Sequence, residues 1–226
     1  MPQRSGNHWV TLRELANGRE VGRALSSAIL ARWRPTLHGL VLDLGCGRRP
    51  GGAAYLNAKP NRARVVGIDR TLSYKPDVVA DLIGTFPFRD GVADAVLCSN
   101  FLYIPLEPLA FLRRVRRVLK EGGTLILAVN VVAPNVRHPT DYWRFTGDSL
   151  RYLVELSGFE VEDLVGFGER FSVAAYALGP FLRPRRLVWA FVSACALSGD
   201  AAIRRLLYRR GWHPFPIGYC LRARAV

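Results

Sequence analysis

The sequence predicts an α/β fold in which helices cover both faces of a mostly parallel sheet. Short apolar runs alternate with segments of helical periodicity along most of the chain, separated by turns such as Asp90-Gly91. Polar and glycine motifs directly follow the first two apolar runs. Ligands of such folds bind beyond the carboxyl ends of the strands, so these motifs lie where a site is expected.

The elements are expected in the following order. A helix over residues 9–33 has apolar residues near the 3.6-residue period and is stopped by Pro35 and Gly39. Strands are expected at residues 41–44, 64–68, 78–80, 95–99 and 124–129, with intervening helices from Pro50 to residue 57 and from Pro105 to Lys120. A helix at 147–157, a strand at 159–165 and a last strand at 217–223 follow.

Composition bounds the protein class. The 226 residues, 50% of them hydrophobic, suffice for one domain with a full core. The net charge of +14 indicates either a phosphate-rich or anionic-membrane partner, or a general use of arginine as a solvated cation. No arginine-aromatic repeat suggests base stacking, and the arginines at 113, 114, 116 and 117 spread around one helix, so nucleic acid is an unlikely partner.

Cysteine usage and the amino terminus indicate the compartment. The four cysteines form no C-x-x-C pair, which favours a reduced, intracellular protein. The first ten residues hold no apolar segment of the length that a signal peptide needs. The expected localisation is cytoplasmic, with peripheral membrane association as the alternative.

The most specific signal is a nucleoside-binding crevice formed by VLDLGCG at 41–47 and VVGID at 65–69. Gly45 and Gly47 let the backbone approach a ligand closely. Asp69 stands 69 − 45 = 24 residues after Gly45, where a carboxylate accepts hydrogen bonds from a ribose. The dinucleotide pattern G-x-G-x-x-G fails at Pro50, which disfavours NAD. Asp43 would repel a pyrophosphate and attract an ammonium, which points to S-adenosylmethionine.

With these residues the chain resembles the class I S-adenosylmethionine-dependent methyltransferases. DVVADL, FPFRDGVADAVLCSN and FLRRVRRVLKEGGTLILAVN follow in that family's order. The resemblance implies a Rossmann-like fold with a mostly parallel seven-stranded sheet and an antiparallel last strand. It also implies that VLDLGCG holds the methionine part of the cofactor, Asp69 the ribose and the Asp81-Leu82 pair the adenine. The expected cofactor-binding residues are Asp43, Gly45, Cys46, Gly47, Asp69, Arg70, Asp81, Leu82, Ser99 and Asn100.

A polar-aromatic loop, NVVAPNVRHPTDYWRFT, follows the fifth strand. His138 is the best candidate for a general base, with Asp141 orienting it or acting itself. Tyr142, Trp143 and Arg144 are expected to contact the acceptor, and the loop to overhang the cofactor's methyl group on the side opposite its adenine. Alternatively, the aromatic residues only pack the loop onto the sheet and Arg144 pairs with a carboxylate. The H-P-x-D-Y-W-R-F-T pattern resembles a subgroup associated with sugar, glycolipid or secondary-metabolite pathways.

Residues 171–210 hold two apolar runs of twelve, FSVAAYALGPFL and LVWAFVSACALS, flanked by arginines. Neither run reaches the ~20 residues that span a bilayer. The expected roles are a lid or core packing, a dimer contact, or a helix pair lying in a membrane interface.

The sequence therefore predicts one methyltransferase domain with four parts. These are a helical cap at 1–38, a cofactor-binding core at 39–166, an apolar and basic insertion at 167–212 and a final strand at 213–226. The expected reaction is methyl transfer, without a metal, to oxygen on a small molecule, sugar, lipid-linked acceptor or secondary metabolite. The alternatives are an RNA-directed methyltransferase and a non-catalytic S-adenosylmethionine-binding protein. The resemblance also disfavours exocyclic-amine chemistry, because nucleic-acid methyltransferases that methylate amines resemble one another in an Asp/Asn-Pro-Pro-aromatic turn after the fourth strand, where this chain has Ser99-Asn100-Phe101-Leu102.

Overall fold

The computed structural model describes residues 8–48, 63–84, 86–136, 138–182, 184–209 and 211–226. Six helices and seven strands form this part of the chain. The helices are α1 (His8–Ala16), α2 (Val21–Trp33), α3 (Pro108–Val118), α4 (Gly147–Leu156), α5 (Arg170–Leu182) and α6 (Arg186–Arg209). The strands are β1 (Gly39–Leu44), β2 (Ala63–Asp69), β3 (Val78–Val79), β4 (Ala93–Ser99), β5 (Leu119–Asn130), β6 (Phe159–Phe167) and β7 (Gly218–Ala225).

The strands form one seven-stranded sheet in the order β3-β2-β1-β4-β5-β7-β6. The pairs from β3 through β5 are parallel, whereas β7 pairs antiparallel with both β5 and β6. The strand order reverses beside β1, which is paired with β2 on one side and β4 on the other. Ligands bind at such a switch point. The predicted α/β class, the mostly parallel sheet and the antiparallel last strand are confirmed.

Two hydrophobic clusters cover the two faces of the sheet. On one face α3 and α4 bury residues such as Leu112, Val115 and Leu150. On the other face α1, α2, α5 and α6 bury residues such as Trp33 and Trp189. The strands between them are nearly continuous apolar runs because both faces are covered.

Two elements differ in the structure from their expected boundaries, and one expected helix falls on residues that the structure does not describe. The single helix expected at 9–33 is two helices, because the chain turns at Gly18, whose φ is +75°. The helix expected to run to Lys120 ends at Val118, because β5 begins at Leu119 and contains Gly122 at a φ of +70°. The helix expected from Pro50 to residue 57 lies outside the described residues.

Asp94 ties together the starts of three strands. Its Oδ2 accepts a hydrogen bond from the backbone N–H of Leu40 at 2.7 Å, and its Oδ1 accepts one from Lys120 Nζ at 2.7 Å. These two donors hold the pKa of the Asp94 carboxyl below its usual value, the Lys120 contact being the larger cause.

We expect Asp94→Asn to destabilise the fold at neutral pH by about 1 kcal/mol or more, because a charge-assisted hydrogen bond is lost. A depressed pKa in the folded state contributes stability above the unfolded value of about 4, and this stability is lost as the pH falls through the folded value. Urea unfolding at neutral pH and at about pH 3 should therefore show a difference between variant and parent that shrinks in acid. The control is Asp90→Asn, which affects only an exposed ion pair with Arg117. An equal loss of stability at both pH values would contradict the assignment.

Candidate functional site

Two adjoining clefts open at the carboxyl edge of the sheet. The larger, of about 730 Å³, lies between the end of β1 and helix α2. The smaller, of about 350 Å³, lies between the ends of β2, β3 and β4 and residues 136–139. Gly45, Tyr74 and Asn100 line both clefts, so the two spaces meet there. Both volumes fit small-molecule sites.

The turn after β1 is held by the carboxylate of Asp69. Its Oδ2 accepts the Gly47 N–H at 3.0 Å, and its Oδ1 accepts the Thr71 N–H at 2.9 Å. The N–H groups of Gly45 and Cys46 donate to the carbonyl of Ile68 at 2.9 and 3.0 Å. Each carboxylate oxygen can accept a second hydrogen bond. Asp69 can therefore fix this turn and still bind hydroxyls in the smaller cleft.

Different structural features account for the glycines at positions 45 and 47. Both have left-handed backbone, with φ of +68° and +64°. A Cβ on Gly45 would lie 2.4 Å from the Phe101 ring, whereas a Cβ on Gly47 would have no atom within 4 Å. The Phe101 ring thus occupies the space that a side chain at position 45 would need, whereas the space beside Gly47 is open.

The groups deepest in the larger cleft are Asp43 and Asn100. Asp43 is buried, and its charge adds to the burial that raises the pKa of the neighbouring Cys98 thiol. Asn100 has a φ of +54° and donates its backbone N–H to Ala128 at 2.8 Å. Within the described structure its buried Oδ1 has no hydrogen-bond partner. A buried acceptor of this kind calls for a donor from a ligand, which the ammonium or hydroxyls of S-adenosylmethionine would supply.

The far end of the smaller cleft combines an acid and a buried apolar side chain. Asp81 is exposed and accepts the Ile83 N–H at 3.0 Å, while Leu82 is buried. This pairing offers a hydrogen-bond acceptor beside an apolar surface, which suits a nucleobase. All ten residues expected to bind the cofactor line one or both clefts: Asp43, Gly45, Cys46, Gly47, Asp69, Arg70, Asp81, Leu82, Ser99 and Asn100.

Helix α2 forms one wall of the larger cleft, which the sequence analysis did not anticipate. Arg19, Arg23, Ser26 and Ser27 line this wall, with Arg48 and Tyr74 from other segments. Positions 19, 23, 26 and 27 follow helical spacing, and the two serines are buried within an otherwise apolar helix face. This polar stripe was the sequence signal that could have predicted the wall of the cleft.

An ion pair between Arg144 and Asp141 stabilises the loop after β5. The Arg144 guanidinium donates to both oxygens of Asp141, and the N–H of Val136 donates to Asp141 at 3.3 Å. The hydrogen bond from Arg144 lowers the pKa of Asp141, and the same contact raises the pKa of Arg144. A carboxylate bound in this way is a poor proton acceptor. The expectation that Asp141 orients His138 or acts as the base is therefore at odds with the structure.

Trp143 anchors the same loop to the segment after β4. Its indole Nε1 donates to the Pro105 carbonyl at 3.0 Å, and its ring stacks on buried Phe145 at 6.2 Å. Tyr142 is half exposed and donates its backbone N–H to Tyr103 at 3.0 Å. Neither cleft is lined by Asp141, Tyr142, Trp143 or Arg144. The packing alternative describes this part of the loop, and the expected acceptor contacts of Tyr142, Trp143 and Arg144 have no counterpart in the two clefts.

His138 lies in the smaller cleft together with Asp69, Asp81 and Leu82. The loop was expected on the side opposite the adenine, so this placement corrects that expectation. The neighbouring Tyr103 lines the same cleft, and its pKa is raised by burial first and by Asp141 second. Tyr103 is therefore a hydrogen-bond donor at neutral pH. Among the described residues, no group of three His, Cys, Asp or Glu side chains could hold a metal ion.

Comparisons with known proteins agree with this geometry. Residues 42–127 match the family model of the methyltransferase domain. An uncharacterised 37.1 kDa transposon protein of Streptomyces fradiae is 29% identical over 164 residues, which cover 60% of this chain and 48% of that protein. This chain thus spans about half the length of that relative.

Solved structures share the fold. An S-adenosylmethionine-dependent methyltransferase from Archaeoglobus fulgidus superposes with a TM-score of 0.59 at 18% identity, over 96% of this chain and 100% of that one. The 1,6-didemethyltoxoflavin N1-methyltransferase of Burkholderia thailandensis, solved with its acceptor and S-adenosylhomocysteine, superposes with a TM-score of 0.55 at 16% identity, over 100% of this chain and 92% of that one. At these identities the similarity concerns the fold.

We expect Asp69→Asn to weaken S-adenosylmethionine binding by tenfold or more, since a charge-assisted hydrogen bond contributes ~1.5 to 3 kcal/mol. The matched control is Asp77→Asn, because Asp77 also accepts a backbone N–H, from Gly67 at 2.7 Å, but lines neither cleft. Titration calorimetry of both variants separates binding from folding. Equal affinities for parent and Asp69→Asn would remove Asp69 from the cofactor site.

Proposed function

We propose that this chain, whose class I fold carries an S-adenosylmethionine-dependent methyltransferase domain, methylates a small acceptor that bears a carboxylate or phosphate. The acceptor would bind in the larger cleft beneath α2, with a hydroxyl oxygen as the methylated atom. The observation that carries the proposal is the set of three arginines around this cleft, Arg19, Arg23 and Arg48.

The larger cleft has more arginines than the cofactor itself requires. S-adenosylmethionine has one carboxylate, and a single guanidinium can bind it through two hydrogen bonds. Arg19 also pairs with Glu14 at 3.7 Å. Arg23 and Arg48, both exposed, fit a second anionic group, for which arginine is well suited because of its planar array of donors. Ser26, Ser27 and Ser99 add neutral hydroxyls that suit the polar part of a sugar or similar metabolite.

In this proposal the cofactor extends across both clefts. Asp69 would hold the ribose, Asp81 and Leu82 the adenine, and Asp43 with Asn100 the amino-acid end. When bound, the cofactor supplies a sulfonium-linked methyl group as the electrophile. The chain's own contribution is position, because an aligned acceptor about 3 Å from the methyl gains ~7 to 11 kcal/mol over an unaligned one.

A hydroxyl acceptor must lose its proton during the reaction. His138 stays our candidate for this role, because it is exposed on the smaller cleft, which meets the larger one at Gly45 and Asn100. Tyr103, held protonated, would act beside it as a donor. Asp141 would act only by holding the loop through Arg144.

The RNA-directed alternative is weakened by how the arginines of α3 are used. Arg114 donates to the Ile83 carbonyl at 2.8 Å, Arg116 donates to the Val226 carbonyl at 2.8 Å, and Arg117 pairs with Asp90 at 2.9 Å. These contacts occupy the cations within the protein. The Burkholderia thailandensis neighbour, an N1-methyltransferase solved with bound 1,6-didemethyltoxoflavin, supports a small-molecule acceptor and makes nitrogen the rival acceptor atom.

An acceptor screen distinguishes these alternatives. We would follow methyl transfer from labelled S-adenosylmethionine to sugar acids, sugar phosphates, matched neutral glycosides, heterocyclic amines and structured RNA. Transfer to anionic hydroxyl compounds supports the proposal. Preference for neutral glycosides, amines or RNA would contradict it, and cofactor binding without any turnover would favour the non-catalytic alternative.

Arg23→Gln should raise the KM for the anionic acceptor by about tenfold, because it removes a charge-assisted hydrogen bond. We expect a smaller effect on cofactor affinity and on the KM of a neutral analogue. The matched control is Arg113→Gln, a charge change at an exposed position of α3. A loss confined to cofactor affinity would assign Arg23 to the cofactor's carboxylate instead.

His138→Ala should lower kcat by at least tenfold and leave the S-adenosylmethionine affinity unchanged, the pattern of a group that acts mainly in the transition state. The control is Asp141→Asn, which should loosen the loop and lower thermal stability more than it lowers kcat. Full activity of His138→Ala across the pH range would exclude it as the base.

A further inference from the structure

Helices α5 and α6 form a helix pair. One face of this pair packs against the rest of the domain, and the opposite face is exposed. The buried face of α5 includes Ser172, Ala175 and Gly179. The buried face of α6 includes Trp189, Ser193, Ala196 and Asp200. Among the described side chains of the pair, none lines either cleft, so the lid expected from this segment is not part of the described site.

The exposed faces of both helices are apolar along their length. We call this surface the apolar face. Phe181, Leu187 and Phe191 are 73%, 89% and 70% exposed. On α5 it consists of Phe171, Ala174, Leu178 and Phe181, and on α6 of Leu187, Phe191, Cys195, Ser198, Ala202 and Leu206. These positions repeat at intervals of three and four residues, as one side of a helix does. A continuous exposed apolar surface on this scale marks an interaction site.

Internal contacts hold the pair against the domain. Asp200 accepts the backbone N–H groups of Phe171 and Ser172 at 2.8 and 3.1 Å, which joins the middle of α6 to the start of α5. The Trp189 indole donates to the Arg19 carbonyl at 3.0 Å. Residues Arg186–Ile203 are long and apolar enough to cross a membrane by length and composition, and only 17% of them are buried. Spanning would break these contacts and place Asp200 in hydrocarbon, so the docked helix can only lie along a membrane.

The charges around the apolar face identify its partner. Residues 170–210 contain eight arginines and one acid, the buried Asp200. Arg185 and Arg186 are exposed in the turn between the helices, and Arg204, Arg205 and Arg209 fall near the other end of α6 in the sequence. A second copy of the chain would place Arg185 and Arg186 against the same cations of its partner, and the described residues of the face expose no acid to pair them. Phospholipid headgroups supply the missing negative charge, and acyl chains accept the apolar side chains.

We propose that the apolar face binds an anionic membrane as a monotopic contact, with α5 and α6 lying in the plane of the interface. The proposal goes beyond methyl transfer and does not depend on it. The turn between α5 and α6, including Pro184 and Arg186, shares a surface hollow with Asn17 and Gly18 between α1 and α2. Arg19, the next residue, lines the larger cleft.

The first test is sedimentation of the full chain with vesicles of phosphatidylcholine alone or mixed with phosphatidylglycerol. We expect binding at least tenfold stronger to the anionic vesicles. Leu187→Gln with Phe191→Gln should abolish it, and Arg185→Gln with Arg186→Gln should weaken it about tenfold, since each cation near such a surface contributes to binding. The matched controls are Leu156→Gln on α4 and Arg113→Gln on α3, both exposed and away from the face. No binding, or equal binding to both vesicle types, would overturn the proposal.

The exposed Cys195 provides a second readout within the face, because Cys46, Cys98 and Cys220 are buried. The emission of a polarity-sensitive fluorophore on Cys195 should shift to the blue when anionic vesicles are added and should not shift with neutral ones.

Light scattering without vesicles tests whether a second copy of the chain covers the apolar face instead. A stable dimer that dissociates in the Leu187→Gln, Phe191→Gln variant would assign the face to a second copy and overturn membrane docking.

Discussion

The carboxylate of Asp69 holds the arrangement on which the site depends. It joins the turn after β1, through Gly47, to the segment after β2, through Thr71. Because β1 and β2 are parallel neighbours, their carboxyl ends reach the same edge of the sheet. One acid can therefore fix the glycine turn and face the nucleoside-sized cleft. The left-handed backbone at Gly45 and Gly47 follows from this closure, and Phe101 then fills the space beside Gly45.

The cofactor side of the site was predictable because strand ends determine it. Asp69 and Ser99 end their strands and Asp43 is the next-to-last residue of β1, and a parallel sheet brings such ends together whatever the details of the loops. Asp81 and Leu82, which were expected from the family resemblance, and Asn100 line the same two clefts. The helix α2 wall was missed because periodicity shows that a helix forms but not which element it packs against. Its serines within an apolar stripe were the sign that the helix faces a polar space.

The loop after β5 shows why residue chemistry alone misleads. An acid, a cation and two aromatic residues in close sequence look like a reactive cluster, but the same groups can satisfy one another. Asp141 and Arg144 are three residues apart and pair directly, and Trp143 finds a carbonyl acceptor at Pro105. Sequence does not distinguish such internal pairing from ligand binding. Of the five loop residues singled out from the sequence, His138, Asp141, Tyr142, Trp143 and Arg144, only His138 lines a cleft, together with its neighbours Val136 and Pro139.

The most direct test of this account is titration calorimetry of the chain with S-adenosylmethionine and, in parallel, with NAD. The site combines Asp69, the acid that we expect to bind the ribose, with a buried carboxylate at Asp43 and lacks a third glycine, so we expect it to favour an ammonium over a pyrophosphate. The account predicts saturable binding of one S-adenosylmethionine per chain and no measurable binding of NAD. Binding of NAD in preference to S-adenosylmethionine, or of neither, would contradict it.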